Sequence, residues 1–222
     1  MDYITILTTG NATDFGDLAV GVSSTPATCS NLTRGCIAGG TSAGNIRSNV
    51  IQYITIATTG NATDFGDLTV ARSDLAGVND SSRGVFGGGY AGSVSNVMDY
   101  ITIATTGNAT DFGDLTVARK SIASCYDSTR GCFAGGVNGT ESNVIDYITI
   151  ATLGNATDFA DLTVAREGVE GVNDSTRGCF AGGYAGGSLD VIDYITIATL
   201  GNATDFGDTL SVVYQTSGNI QG

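Results

Sequence analysis

Paired aspartates recur through this chain at one fixed spacing, and carboxylates at a fixed spacing suggest metal chemistry. Each pair stands in the sequence Asn-Ala-Thr-Asp-Phe, with the second aspartate three residues after the first. The pairs are Asp14/Asp17, Asp64/Asp67, Asp111/Asp114, Asp158/Asp161 and Asp205/Asp208. Carboxylate oxygens are ligands that Ca²⁺ prefers, but the ligand spacing of an EF-hand is missing. Two interpretations stay open: a calcium site in each copy, or aspartates that cap backbone amides beside a Gly-Asn turn.

The asparagine of each copy stands in Asn-Ala-Thr, the acceptor pattern for an N-linked glycan. These residues are Asn11, Asn61, Asn108, Asn155 and Asn202. A hairpin repeated five times explains them without a sugar. Met1 lies one residue before the first copy, so we expect no signal peptide and synthesis in a host cytoplasm. No run of about 18 apolar residues occurs, so we expect no membrane insertion.

Arginines recur in two sets. Arg34, Arg83, Arg130 and Arg177 precede a glycine in one turn, and Arg72, Arg119 and Arg166 lie in a later connection. Guanidinium groups match carboxylates, so the second set is a candidate for binding an anionic ligand or partner. The alternative is pairing with the repeated aspartates of a neighbouring repeat. The net charge is −13, with 22 acidic and 9 basic residues, which opposes nucleic-acid binding.

Catalytic patterns are missing. The chain has no histidine for acid–base work and no Gly-x-Ser-x-Gly elbow, so we expect no enzyme, no cofactor and no metal centre. Cys29 and Cys36 are seven residues apart, as are Cys125 and Cys132. Other copies carry valine at these places, which indicates small apolar packing positions. Cross-strand disulfides are the alternative in an oxidising medium.

The elements that position these residues repeat with a period near 47. Asp-Tyr-Ile-Thr-Ile, with Gln52 for the aspartate in one copy, places tyrosines at Tyr3, Tyr53, Tyr100, Tyr147 and Tyr194. Such a period indicates a solenoid or a propeller. In residues 72–118 we predict strand A at 75–78, B at 85–88, C at 97–104 and D at 109–115, with Gly107-Asn108 as a two-residue hairpin turn. No apolar period of 3.6 residues occurs, so we predict no helix.

Four antiparallel strands in 40–50 residues make one propeller blade. The run from Arg72 to Val78, then Val85-Phe86-Gly87-Gly88, Met98-Asp99-Tyr100, Phe112 and Leu115 resembles a kelch repeat, with Phe where kelch repeats usually carry Trp. That resemblance implies a β-propeller. The sequence Asp-Tyr-Ile-Thr-Ile…Gly-Asn-Ala-Thr-Asp-Phe-Gly-Asp-Leu is also similar to repeats in tail-fibre and other virion proteins of bacteriophages, which implies a structural role in a virus particle.

The strand count predicts how such a ring would close. The chain opens with C and D strands at 1–20, continues through four complete sets and ends with a segment, 210–216, aligned with strand A. We therefore predict an all-β, single five-bladed β-propeller over residues 1–222, with a closing blade shared by both chain ends. Closure would remove the exposed sheet edges.

The copies differ most in the loops from strand B to strand C, at 41–49, 90–96, 137–143 and 184–190. We expect these loops on the same face as the D-to-A connections. Variable loops on a constant scaffold are where distinct contacts form, although loops also simply tolerate change. Tyr90 and Tyr184 are the candidate contact residues, together with Arg72, Arg119 and Arg166.

The expected function is a non-enzymatic virion structural protein, in a tail fibre or on a capsid surface, that acts as a rigid interaction scaffold. Its expected partners are other virion proteins, further copies of itself on the particle, or a host-surface glycan. One alternative is a carbohydrate-binding, lectin-like propeller for recognising a host surface, and a weaker one is a kelch-type adaptor for protein interactions.

Overall fold

The computed structural model describes residues 1–214 of the chain. This part consists of strands and loops without any helix, so it has none long and apolar enough to cross a membrane. The fold class predicted from the sequence, all-β with four antiparallel strands per repeat, is confirmed.

The strands of residues 1–214 form four sheets of four strands each and three two-stranded hairpins. The first hairpin consists of β1 (Asp2–Tyr3) and β2 (Thr13–Asp14). The first sheet contains β3 (Ala27–Ser30), β4 (Arg34–Ala38), β7 (Val50–Thr55) and β8 (Thr63–Asp67), with β5 (Thr41–Ser42) and β6 (Ile46–Arg47) in its B-to-C loop. The second contains β9 (Ala76–Asn79), β10 (Arg83–Gly87), β11 (Val97–Thr102) and β12 (Thr110–Asp114).

The third sheet contains β13 (Ala123–Tyr126), β14 (Arg130–Ala134), β17 (Val144–Thr149) and β18 (Thr157–Asp161), with β15 (Val137–Asn138) and β16 (Thr140–Glu141) in its loop. The fourth contains β19 (Glu170–Asn173), β20 (Arg177–Ala181), β21 (Leu189–Thr196) and β22 (Thr204–Val213). Every sheet has the order A-B-C-D with antiparallel neighbours. The four strands predicted in residues 72–118 are therefore present, with ends shifted by up to a few residues.

The hydrophobic core lies between the sheets. One cluster joins Ile51 and Phe65 of the first sheet to Phe86 and Ile101 of the second, and two similar clusters involve the later sheets. Phe86, Phe133 and Phe180 are 0% exposed, and burying such a ring stabilises a fold by about 1.5–3 kcal/mol. Because each cluster needs residues from two neighbouring sheets, a single sheet cannot cover its own apolar face.

The predicted two-residue turn at Gly107-Asn108 is wrong. β11 ends at Thr102 and β12 begins at Thr110, so a longer connection separates them. The Gly107 amide donates to the Phe65 carbonyl of the preceding sheet, at 2.8 Å. The Gly-Asn tip therefore serves a contact between sheets instead of a tight turn within one.

The predicted closing blade differs in the described residues. Leu210–Val213 continue β22, and Val213 pairs with Leu189 of β21, while β1 pairs with β2. Val213 follows Asp208 by five residues, as Arg72 follows Asp67, so the two residues occupy equivalent positions. The backbone carbonyl of each accepts a hydrogen bond from the amide of the second glycine after strand B. Residues 210–213 thus occupy the D-to-A connection. The rest of the predicted strand A lies outside the described residues.

The register explains the alternation of Cys and Val. Cys125 lies opposite Cys132, as Val78 lies opposite Val85 and Val172 opposite Cys179. Both thiols of the Cys125–Cys132 pair are free and buried. The hydrogen bond to Cys132, together with burial, raises the pKa of the Cys125 thiol, which keeps that thiol protonated.

We expect the double variant Cys125→Val/Cys132→Val to lose less than about 1.5 kcal/mol of stability, as volume-conserving core substitutions usually do. Urea unfolding of parent and variant, with and without reductant, measures this. A parent that loses several kcal/mol of stability on reduction would instead indicate a disulfide.

Candidate functional site

The same set of contacts, called the junction below, joins each sheet to the next along its D strand. The amides of a Gly-Asn-Ala tip donate to carbonyls of the preceding D strand, and the tip asparagine accepts from an amide of that strand. Between the first and second sheets, Ala109 N donates to Asp67 O at 2.8 Å and Asp67 N donates to Asn108 Oδ1 at 3.1 Å. The same contacts recur at Asn61, Asn155 and Asn202.

Close approach of two backbones makes this junction possible. Gly66 has φ +144°, and a Cβ added there would overlap the carbonyl oxygen of Gly107. Gly16 and Gly113 face Gly60 and Gly154 in the same way. These three glycines combine a positive φ with direct contact to the next tip, which favours glycine, whereas the third sheet carries Ala160 at this position without a positive φ.

The candidate arginines form a second, buried part of the junction. Arg72, Arg119 and Arg166 are 0% exposed and pair with Asp99, Asp146 and Asp193 of the following sheet, at 2.8, 2.6 and 3.0 Å. Arg119 also donates to the carbonyls of Gly135 and Val144, both at 2.7 Å. Burial lowers the pKa of Arg72 and raises that of Asp99, and each charge opposes the shift of the other. The ligand-binding role predicted for these arginines is therefore corrected: they hold neighbouring sheets together.

One junction uses a different chemistry. In the first copy, aligned on Asp17, Val22 takes the position of the arginine of later copies, and Ala19 takes the position of their threonine. The aspartate of strand C is Gln52 in this copy, and its amide exchanges hydrogen bonds with the Val20 backbone, at 2.9 and 3.2 Å. All three positions change together, so the junction with an arginine–aspartate pair and the junction without charges are each a complete set of matching residues.

The other arginine set lies at the opposite end of strand C. Arg83 lies 4.6 Å from the Tyr100 ring and donates to Ile150 O of the next sheet at 2.8 Å. Arg34 and Arg130 donate to Ile103 and Ile197 in the same way. The cation–π contact holds each arginine against a tyrosine of its own sheet, and the hydrogen bond to the next sheet's carbonyl ties the sheets on this side also.

Within residues 1–214, both ends of the array leave a junction unfilled. Phe206 of β22 is 55% exposed, whereas the equivalent Phe65 and Phe112 are each 3% exposed. Gly207 has φ +136°, and an added Cβ there would meet no atom within 4 Å. The tip residues Gly10 and Asn11 form no hydrogen bond within residues 1–214. Hairpin β1–β2 itself packs on the first sheet, because Gly60 N donates to Phe15 O at 2.7 Å.

The four A strands surround one cavity of about 660 Å³. At its rim, three amide-to-carbonyl hydrogen bonds of 3.0–3.1 Å connect Thr25, Asp74, Ser121 and Gly168 in order. All four residues have positive φ. Glu170 stands where the other A strands begin with alanine, and burial raises the pKa of its carboxyl group to about 7.

The variable loops lie beside the D-to-A connections, as predicted. Tyr90 pairs with Ser73, and Tyr184 pairs with Glu167. Arg47 and Lys120 lie 4.4 and 5.2 Å from the Tyr90 ring. The Tyr184 ring instead lies 5.7 Å from Tyr214. Neither Arg47 nor Lys120 was a candidate from the sequence, because neither belongs to a repeated set.

Across residues 1–214, no group of three or more His, Cys, Asp or Glu side chains could hold a metal ion. The repeated aspartates serve the backbone where their contacts are visible: the amides of Gly16 and Gly207 donate to Asp14 and Asp205 side chains, each at 3.0 Å.

No protein-family model matches the chain, and no curated protein matches it. The resemblance to kelch repeats and to phage virion proteins stays a prediction.

We expect Arg119→Val to lose about 3–5 kcal/mol of stability, because it leaves Asp146 buried without its partner. Adding Asp146→Gln and Thr116→Ala reproduces the chemistry of Val22, Gln52 and Ala19, so the triple variant should recover most of that loss. Urea unfolding midpoints measure both effects. A triple variant as unstable as the single one would show that the two sets of residues are not interchangeable.

Proposed function

We propose that this protein is a non-enzymatic structural component of a virus particle, in a tail fibre or on a capsid surface, and that it works as a rigid five-bladed scaffold. The observation that carries the scaffold role is the junction. It is repeated between successive sheets with buried ion pairs and close backbone contacts, which favours one stiff body. The virion assignment is supported by the resemblance of the repeated sequence to phage virion proteins.

Three observations support five blades. The four A strands surround one cavity, so the sheets turn about a common axis. Hairpin β1–β2 contacts the first sheet as each sheet contacts the next, so it takes the place of the C and D strands of a further blade. The β22 surface and the Gly10-Asn11 tip are the two halves of one more junction. We propose that they join within one chain and close the ring.

Glycine substitutions test the closure. Gly66→Ala should cost at least the 1–3 kcal/mol or so of an unfavourable φ, and more because the new methyl group overlaps Gly107. Gly207→Ala imposes similar φ strain. In a closed ring it should also overlap the Gly10 tip and cost as much as Gly66→Ala; in an open array it should cost clearly less.

Urea unfolding compares the two variants, and Asn11→Ala against Asn108→Ala gives a second matched pair. Equal costs in a monomer support the closed ring. Equal costs that depend on protein concentration would mean that a second copy supplies the tip, which overturns closure within one chain. A clearly milder Gly207→Ala would also overturn it.

A second candidate function, carbohydrate binding, is favoured by the aromatic residues of the variable loops. Tyr184 is 36% exposed, and Tyr90 lies beside two cations. Aromatic rings that remain accessible beside polar loops are common in binding surfaces. Weak contacts at several blades or copies would add through avidity.

We expect Tyr90→Ala/Tyr184→Ala to unfold at nearly the parent temperature and to weaken attachment to the particle or to a glycan. Antibody labelling of purified particles and a glycan array measure the two kinds of attachment. Leu153→Ala, at an exposed C-to-D tip, is the control. Loss of binding in this control alone would move the contact surface to the constant tips, and absence of the chain from particles would reject the virion assignment.

A further inference from the structure

Two of the nine basic residues stand apart from the rest. Three arginines are buried in ion pairs, and the four turn arginines lie over the tyrosines of strand C. The remaining two, Arg47 and Lys120, both lie against the Tyr90 ring. Three successive repeats thus each send one side chain to the same place.

Within the described residues, these two cations have no acidic partner. The ion pairs of residues 1–214 involve only Arg72, Arg119 and Arg166. The Nε of Arg47 is buried and donates to no acceptor in that part of the chain. The charges of Arg47 and Lys120 lie within about 10 Å of each other, about one Debye length at 0.1 M salt. They repel each other there, and a bound anion would relieve that repulsion.

The fold does not require these cations. The equivalent loop of the fourth sheet also presents a tyrosine, Tyr184, but Tyr214 occupies the place of Lys120. Arg47 pairs with Thr41 in its loop, and the residue in the same position of the third sheet's loop is Glu141. The same framework therefore carries a basic cluster at Tyr90 and none at Tyr184.

We propose that Arg47, Tyr90 and Lys120 form a binding site for one anionic group of an acidic saccharide, with a uronic-acid carboxylate as the ligand. This proposal rests on the contact role proposed for the variable loops and names its ligand. The guanidinium group donates paired hydrogen bonds to a carboxylate, and the lysine ammonium group adds a second charge. A nucleic acid fits poorly, because the chain carries a net charge of −13 and would repel its many phosphates.

Titration of the full chain with glucuronate, glucose and inorganic sulfate, followed by NMR of the tyrosine ring signals, tests the proposal. We expect glucuronate to shift the Tyr90 signals and glucose to leave them unchanged. Arg47→Gln and Lys120→Gln should each weaken glucuronate binding about tenfold, as loss of a charge-assisted hydrogen bond commonly does. Tyr184→Phe is the matched control and should bind like the parent.

Equal binding of glucose and glucuronate would overturn the proposal, as would a variant lacking both cations that binds like the parent. Binding of sulfate without glucuronate would overturn the saccharide assignment. Melting curves of all variants separate lost binding from lost folding. If glucuronate fails while Tyr90→Ala/Tyr184→Ala still weakens attachment, only the ligand is wrong and the contact surface survives.

Discussion

The buried contact between neighbouring sheets is the constraint on which the rest of this structure depends. Each apolar cluster takes residues from two sheets, and each buried arginine reaches across to the next sheet. A sheet without a neighbour would expose its phenylalanine and leave an aspartate unpaired, so stability comes from the series and not from the unit. This dependence on neighbours is the physical reason that the two terminal surfaces matter.

The ion pairs determine which sheet surfaces can pack together more than they determine the stability of the array. A buried pair costs much desolvation, and apolar or neutral replacements of similar volume are often as stable. The first junction has such a replacement: Val22 stands in place of the arginine, and Gln52, bonded to the Val20 backbone, stands in place of the aspartate. A mixed junction would bury one unpaired charge. An arginine on one sheet therefore requires an aspartate on the next, and the ion pairs fix which sheet surfaces lie against each other.

Sequence patterns within one repeat predicted the structure within that repeat. The four strands of a repeat, the shared face of the B-to-C loops and D-to-A connections, and the packing role of Cys125 and Cys132 follow from residue types and alignment of copies. The Gly107-Asn108 tip was misread because turn chemistry describes only neighbours in sequence, while its partner Asp67 lies 41 residues before Asn108. The alignment of the C-terminal segment with strand A differs from the structure because Val213 stands where the other copies carry arginine, so the sequence does not reveal that this segment is a D-to-A connection.

A repeated scaffold separates two demands that conflict in most proteins. The strands and tips vary little because neighbouring sheets meet through them: Gly66 lies directly against Gly107, and the third sheet, which carries Ala160 at the equivalent position, lacks the positive φ there. The B-to-C loops pair with the D-to-A connections beside them and form none of the Gly-Asn-Ala tip contacts within residues 1–214, so they can differ without disturbing those contacts. Tyr90 among cations and Tyr184 beside Tyr214 show the consequence: one backbone frame presents the same aromatic ring in two electrostatic settings. A series of such loops can therefore offer different contacts side by side while the body that holds them remains unchanged.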